Sequence, residues 1–160
     1  MDAEIVFTTE KTARLLGLPE WRIVRFAQMK VFGIKPAFAD AEGPGSRRLY
    51  NLENVCEFAL ASWLLQAGLR TEVIGRVLTN VRSKGGLSHL LSESHSEVKG
   101  YYLALSRTPK GRIARQNVLE LRSWPQLEKI FRQEMDASLL VIPVGLRLLA
   151  LAERLGRKGD

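Results

Sequence analysis

Four side chains near the N-terminus combine hydrogen-bonding chemistry with helical spacing. Trp21, Arg22, Arg25 and Gln28 follow Pro19 at intervals that a single helix can present together. A guanidinium group offers paired donors to phosphates or to guanine edges, and a glutamine amide matches adenine. Trp21 is open to two interpretations: it stacks on a sugar or base, or it is a buried anchor for its helix. The set therefore indicates recognition of a polyanion.

The other potentially reactive side chains do not form a recognisable site. His89 and His95 lie six residues apart in a serine-rich stretch with Glu93 and Glu97, but no third metal ligand follows in frame. No nucleophile elbow, phosphate loop or His-Glu-x-x-His sequence accompanies them. Cys56 is the single cysteine, so we expect a small buried apolar residue. The sequence predicts neither an enzyme nor a metal or cofactor site.

Composition limits the class of protein. The chain has 160 residues, 46% of them hydrophobic and 26% charged, which is typical of one globular domain or of a small module with an appended one. The formal net charge is +7 and the pI is about 9.9, which favours a polyanionic partner. The N-terminus carries acids instead of a secretory signal, and Leu139–Val144 is too short to span a membrane. We therefore expect a soluble, cytoplasmic protein.

The first 84 residues contain a regular series of helix and turn signals. Thr8 to Glu10 opens a helix that Gly17 closes, and a second helix starts with Pro19 in its first turn. A pair of short helices joined by a glycine turn is typical of a helix-turn-helix. The segments 32–39 and 47–50 flank a Gly/Pro-rich turn and predict a hairpin. Two longer helices follow, 52–67 capped by Asn51 and a second capped by Thr71.

The pattern changes after residue 84. Residues 85–99 contain Gly85-Gly86 and several serines, which indicates a linker or a short helix. Tyr101–Ser106 and Ile113–Leu121 flank good turn residues and predict a β-hairpin. A helix is expected from about 123 to 135, 139–142 is either a strand or the start of the last helix, and 144–157 is helical.

The order of these elements and several short sequences resemble the MerR family. The resemblance spans residues 5 to about 80, half of the chain. The matching sequences are Phe7-Thr8-Thr9, Ala13 to Leu18, Ile34-Lys35-Pro36, Arg48 to Glu53, and Leu64 to Ile74.

The resemblance implies a winged helix-turn-helix whose second helix, near 19–29, lies in the major groove of DNA. In the family an arginine and a tyrosine of the wing contact the sugar-phosphate backbone, and these map onto Arg48 and Tyr50. The basic residues Arg14 and Arg47 join the predicted set. The DNA-binding residues predicted from the sequence are thus Arg14, Trp21, Arg22, Arg25, Gln28, Arg47, Arg48 and Tyr50.

This chain departs from the family pattern in several places, two of which concern DNA contacts and dimerisation. Val24 replaces a signature arginine of the second helix, with Arg22 and Arg25 at neighbouring positions. The family dimerises through a long antiparallel coiled coil, whereas residues 81–99 lack sustained heptads. One hypothesis is that the apolar segment 139–155 forms the dimer contact. The alternative is that this segment belongs to the intramolecular core.

The combined prediction is a mainly α protein with small β elements, of the α+β class. Residues 1–84 form a MerR-like winged helix-turn-helix, 85–99 a linker or short helix, and 100–160 an α+β module for dimerisation, effector binding or both. The expected function is sequence-specific transcriptional regulation by a homodimer on double-stranded DNA. RNA polymerase and a small-molecule effector are further possible partners. The alternatives are a protein-binding adaptor and an architectural, excisionase-like DNA-binding factor.

The second basic segment leaves three interpretations open. Basic residues outnumber acidic ones in 99–122 as they do in 14–48. The hairpin therefore touches DNA, binds an anionic ligand, or is a solvated edge whose charges discourage aggregation.

Overall fold

The structure is a computed structural model that describes residues 5–39, 47–92, 98, 100–107, 113–120, 128–129, 132 and 138–156. The chain divides into two compact units, Met1–Ser88 and His89–Asp160, which we call the N-terminal and C-terminal units. The division falls within the segment 85–99 predicted as a linker.

The N-terminal unit is mainly helical. Two short helices precede two longer ones, and two very short strands join them into one core. Its elements are β1 (Phe7–Thr8), α1 (Thr9–Leu16), α2 (Glu20–Gln28), β2 (Leu49–Tyr50), α3 (Leu52–Gln66) and α4 (Thr71–Ser83). A 3₁₀ turn at Ser88–Ser92 begins at the last residue of this unit.

Local capping explains where α1 and α2 begin and end. The Thr8 hydroxyl accepts a hydrogen bond from the Lys11 N–H at 3.2 Å, which starts α1. Gly17 ends it with φ of 66°, a left-handed conformation that favours glycine. Pro19 is extended and occupies the cap position before α2, one residue earlier than predicted. Only three residues therefore separate the two helices.

The caps of α3 and α4 differ from each other. The Asn51 side chain accepts from the Asn54 N–H at 2.9 Å and the Asn54 side chain accepts from the Asn51 N–H at 3.4 Å, so the predicted cap is confirmed. The prediction that Thr71 caps α4 is wrong, because Thr71 is already helical. Arg70 precedes it in an extended conformation and makes no side-chain cap. The Arg70 carbonyl instead accepts from the N–H groups of residues 73 and 74, both at 3.1 Å.

The short strands bring three chain segments together. β1 pairs antiparallel with β2, with Phe7 opposite Tyr50 and Thr8 opposite Leu49. Leu49 also bridges Ala39: its N–H donates to the Ala39 carbonyl at 2.9 Å. The predicted pairing of 32–39 with 47–50 is thus confirmed at this bridge, whereas the turn at 42–46 lies outside the described residues.

The core of the N-terminal unit is built around α3. Phe58 packs edge-on against Tyr50 with ring centroids 5.0 Å apart, and Phe26 meets Phe32 at 5.5 Å. Cys56 is buried, as predicted, whereas Trp63 on the same helix is only half-buried. Helix α3 is buried along most of its length and packs against α2, α4 and β2.

The C-terminal unit contains a three-stranded antiparallel sheet and a helix. Its elements are β3 (Tyr101–Arg107), β4 (Ile113–Glu120), β5 (Ser138–Ile142) and α5 (Val144–Gly156). The strand order is β4-β3-β5, which confirms the predicted hairpin and decides that 138–142 is a strand. Of the helix predicted at 123–135, Glu128, Lys129 and Arg132 are helical and the rest lies outside the described residues.

The architecture is mainly helical with two small sheets, which confirms the predicted α+β class. Every helix in the described part of the chain is too short or too polar to span a membrane.

Candidate nucleic-acid interface

Helix α2 has one buried face and one solvent-facing face. Ile23 and Phe26 are buried and hold the helix against the core. Trp21, Arg25 and Gln28 are exposed on the other side. Because buried and exposed residues alternate with helical periodicity, the predicted contact residues of α2 lie together on an accessible surface.

The structure excludes one of the two interpretations of Trp21. Its side chain is 57% exposed, so it is not a buried anchor. The guanidinium carbon of Arg22 lies 5.2 Å from the centroid of the Trp21 ring, within the range of a cation–π interaction. The guanidinium therefore lies over the face of the indole ring at the start of α2.

An open cleft runs along this side of α2. Its volume is about 370 Å³, and its lining comes from α2 and the residue after it, from the C-terminal half of α3, and from the first residue of α4. The lining residues are Trp21, Arg22, Arg25, Phe26, Met29, Ser62, Leu65, Gln66 and Thr71.

Three polar residues of the cleft were not predicted from the sequence. Ser62 and Gln66 are one helical turn apart on α3, and Thr71 begins α4. Because Ser62 and Gln66 are four residues apart, the sequence indicates that they share one face of a helix. Only tertiary packing places that face of α3 beside α2.

The remaining predicted residues come from other elements of the N-terminal unit. Arg14 is exposed on α1 and forms an ion pair with Glu10 one turn earlier. Arg47 is exposed and Arg48 is half-buried, both just before β2. Arg47 and Arg48 thus lie beside the bridge of Leu49 with Ala39, where the predicted wing would present them.

Tyr50 occupies a different environment from the one predicted. Its side chain is 0% exposed and packs against Phe58. The physical reason is strand alternation: Leu49 and Tyr50 point to opposite faces of β2, and the pairing of Tyr50 with buried Phe7 turns its ring inward. Tyr50 is therefore a core residue in this structure and offers no surface for DNA.

A polar network fixes the segment that follows α2. Asn54 accepts a hydrogen bond from the Ala37 N–H at 3.1 Å, and Arg82 donates to the Phe32 carbonyl at 2.8 Å. Arg82 also forms an ion pair with Glu57. Burial raises the pKa of the Glu57 carboxyl, although Arg82 and Asn54 act in the opposite direction. The network sets the course of the chain from α2 towards Ala39.

Among the residues that the structure describes, the reactive side chains outside this cleft do not form a second site. Burial raises the pKa of the Cys56 thiol, so it stays protonated and is a poor nucleophile. His89 is exposed at the 3₁₀ turn, while His95 lies outside the described residues. No group of three His, Cys, Asp or Glu side chains within the described ranges is arranged to hold a metal ion.

A scan of protein-family models finds no match to this chain, and a search of curated proteins finds no significant match.

Proposed function

We propose that the protein is a sequence-specific DNA-binding transcriptional regulator of the MerR type that acts as a homodimer. In this proposal the N-terminal unit is a winged helix-turn-helix. Helices α1 and α2 form the helix-turn-helix, and the segments joined by the bridge of Ala39 with Leu49 form the wing.

One observation carries the proposal. The outward face of α2 presents Arg22, Arg25 and Gln28 from a helix whose other face is anchored by Ile23 and Phe26. Guanidinium and amide groups held on a rigid helix match the donor and acceptor pattern of the major groove. The same residues on a mobile loop would lose more entropy on binding.

The wing residues have a different role in the proposal. Arg47 and Arg48 precede β2, at the edge of the bridged segments, and bind phosphates. Phosphate contacts orient the protein without reading sequence, and they make affinity depend strongly on salt. Bound to a palindromic operator, two copies of the chain read two half-sites one helical turn apart.

The C-terminal unit is proposed to dimerise, to bind an effector, or both. Within the segment 139–155, Val144, Leu148, Leu149 and Leu151 are buried, whereas Leu146 is 48% exposed. Much of this apolar segment therefore contributes to the core, and Leu146 is the side chain through which a dimer contact is best tested. RNA polymerase remains a proposed partner of the DNA-bound dimer.

The test is selection of bound fragments from a random DNA pool, followed by anisotropy titration at two salt concentrations. Arg25→Ala is expected to weaken binding and relax the selected sequence, and Arg48→Ala to weaken all sequences and reduce the salt slope by about one. Arg76→Ala on the exposed side of α4 is the matched control.

The outcomes separate the alternatives. A dyad-symmetric site supports a dimeric regulator. Absence of any enriched sequence, together with weak salt dependence, contradicts the proposal and favours a protein-binding adaptor. Strong bending of circularly permuted fragments, without any effect on transcription, favours an architectural factor.

A further inference from the structure

The cleft beside α2 is lined by apolar and cationic side chains together. The apolar residues are Phe26, Met29 and Leu65, and the cations are Arg22 and Arg25. A phosphate group can pair with the arginines, but it has no apolar surface to bury against the other three residues. A flat organic anion matches both kinds of side chain, because its ring displaces water from the apolar residues while its charge pairs with an arginine.

We propose that this cleft binds a small aromatic acid: a flat apolar body carrying one carboxylate or a similar anionic group. The volume of about 370 Å³ lies at the small end of the range of about 300–1,000 Å³ typical of ligand pockets. Trp21 lines the cleft and is 57% exposed, and the Arg22 guanidinium lies over its ring, so an aromatic ligand can contact the indole and the cation together. The guanidinium groups of Arg22 and Arg25 bind the anionic group of the ligand.

Two hydroxyl groups line the same cleft. Ser62 comes from α3 and is only 5% exposed, and Thr71 is the first residue of α4. A hydroxyl can donate or accept a hydrogen bond, so these two side chains can hold a polar substituent on the ring of the ligand.

Occupation of the cleft has a regulatory consequence, which rests on the proposed function. Trp21, Arg22 and Arg25 line the cleft and also form the proposed DNA-reading face. A bound anion engages these arginines and lowers the local positive potential, so ligand and DNA compete. The ligand then releases the protein from its operator.

The first part of the test measures binding to the full chain without DNA. Naphthoate is the probe, and the readout is the NMR signal of the Trp21 indole N–H, assigned with Trp21→Phe among the three tryptophans. Saturable shifts at Trp21 are expected. Arg25→Gln is expected to weaken binding about tenfold, the loss of one charge-assisted hydrogen bond. Arg76→Gln, which removes an equal charge outside the cleft, is expected to bind as the wild type does.

Two further probes decide whether both parts of the cleft matter. Naphthalenemethanol keeps the ring without the charge, and inorganic phosphate keeps the charge without the ring; both are expected to bind more weakly than naphthoate. The inference is overturned if Trp21 does not shift, if Arg25→Gln has no effect, or if either partial probe binds as well as naphthoate.

The second part repeats the DNA titration with saturating naphthoate. Weakened DNA binding by the wild type supports competition, and unchanged DNA affinity overturns it. If naphthoate binds but no DNA is bound at all, the proposed function fails while the ligand site stands. If DNA binds and naphthoate does not, the ligand site fails alone.

Discussion

Arg82 on α4 forms an ion pair with Glu57 on α3, and the same guanidinium donates to the main chain at Phe32. Glu57 is the more buried partner: its side chain is 5% exposed, against 31% for Arg82. The pair therefore joins two long helices to the segment that leads from α2 towards Ala39. The position of the proposed wing depends on a charge contributed by the last turn of α4.

Replacing Arg82 is expected to destabilise the N-terminal unit. Arg82→Met leaves the Glu57 carboxylate buried without its cation, and the free energy of unfolding should fall by about 3 kcal/mol. Urea denaturation measures the change. Arg76→Met, at an exposed position of the same helix, should shift stability by no more than about 0.5 kcal/mol. Equal effects of the two variants would contradict the role assigned to the pair.

The pH dependence of stability should report on Glu57. Burial raises the pKa of this carboxyl above its ordinary value of 4.5, and nearby Glu53 acts in the same direction. The folded protein thus holds the proton to higher pH than the unfolded chain does, so this contribution to stability is lost as pH rises from about 4.5 through the raised pKa.

The experiment compares wild type with Glu57→Gln by urea unfolding across that range. The variant cannot release a proton at this position, so the difference in unfolding free energy, wild type minus variant, should decrease with rising pH. A difference that is constant or that increases would show that the folded-state pKa is not raised.

The thiol of Cys56 should be unreactive in the native protein. It is buried in α3, and burial raises the pKa of its thiol, so little thiolate is present at neutral pH. A thiol reagent such as a disulfide-exchange dye should react only at the rate at which the unit opens, and rapidly in urea. Fast stoichiometric labelling without denaturant would refute this prediction.

Gly75 is expected to tolerate no side chain. A Cβ atom at this position of α4 would lie 2.2 Å from the Val31 carbonyl oxygen, which is main chain and cannot rotate away. Gly75→Ala should therefore cost about 1–3 kcal/mol by overpacking, measured by thermal or urea unfolding. Gly156→Ala is the matched control, because nothing lies within 4 Å of its added atom. An equal change in unfolding free energy for Gly75→Ala and Gly156→Ala would contradict this prediction.

The two long helices should respond differently to loss of their caps. Asn51→Ala removes the hydrogen bond to the Asn54 N–H and should lower stability by about 1 kcal/mol. Arg70→Ala at the corresponding position of α4 removes no side-chain cap and should have little effect. Comparable losses in the two variants would indicate that the Asn51 side chain does not act as a cap.

Much of the local structure could be predicted from the sequence because its causes are local. The Thr8 cap, the left-handed Gly17 and the Asn51 capping box involve residues no more than four apart. The amphipathic pattern of α2 likewise identified its accessible face, so Arg25 and Gln28 were recognised in advance. Charge and composition further indicated a polyanionic partner.

Which side chains are buried and which are exposed depends on tertiary packing, and spacing along the chain does not determine it. Tyr50 was expected at the surface and is buried, because its pairing with Phe7 and its contact with Phe58 depend on segments far apart in sequence. The sequence could not show whether Trp21 is buried or exposed, because that depends on how the core packs. Ser62 joined the cleft only through the packing of α3 beside α2. Short-range hydrogen bonds and periodicity determine the elements, whereas long-range burial determines which faces remain for function.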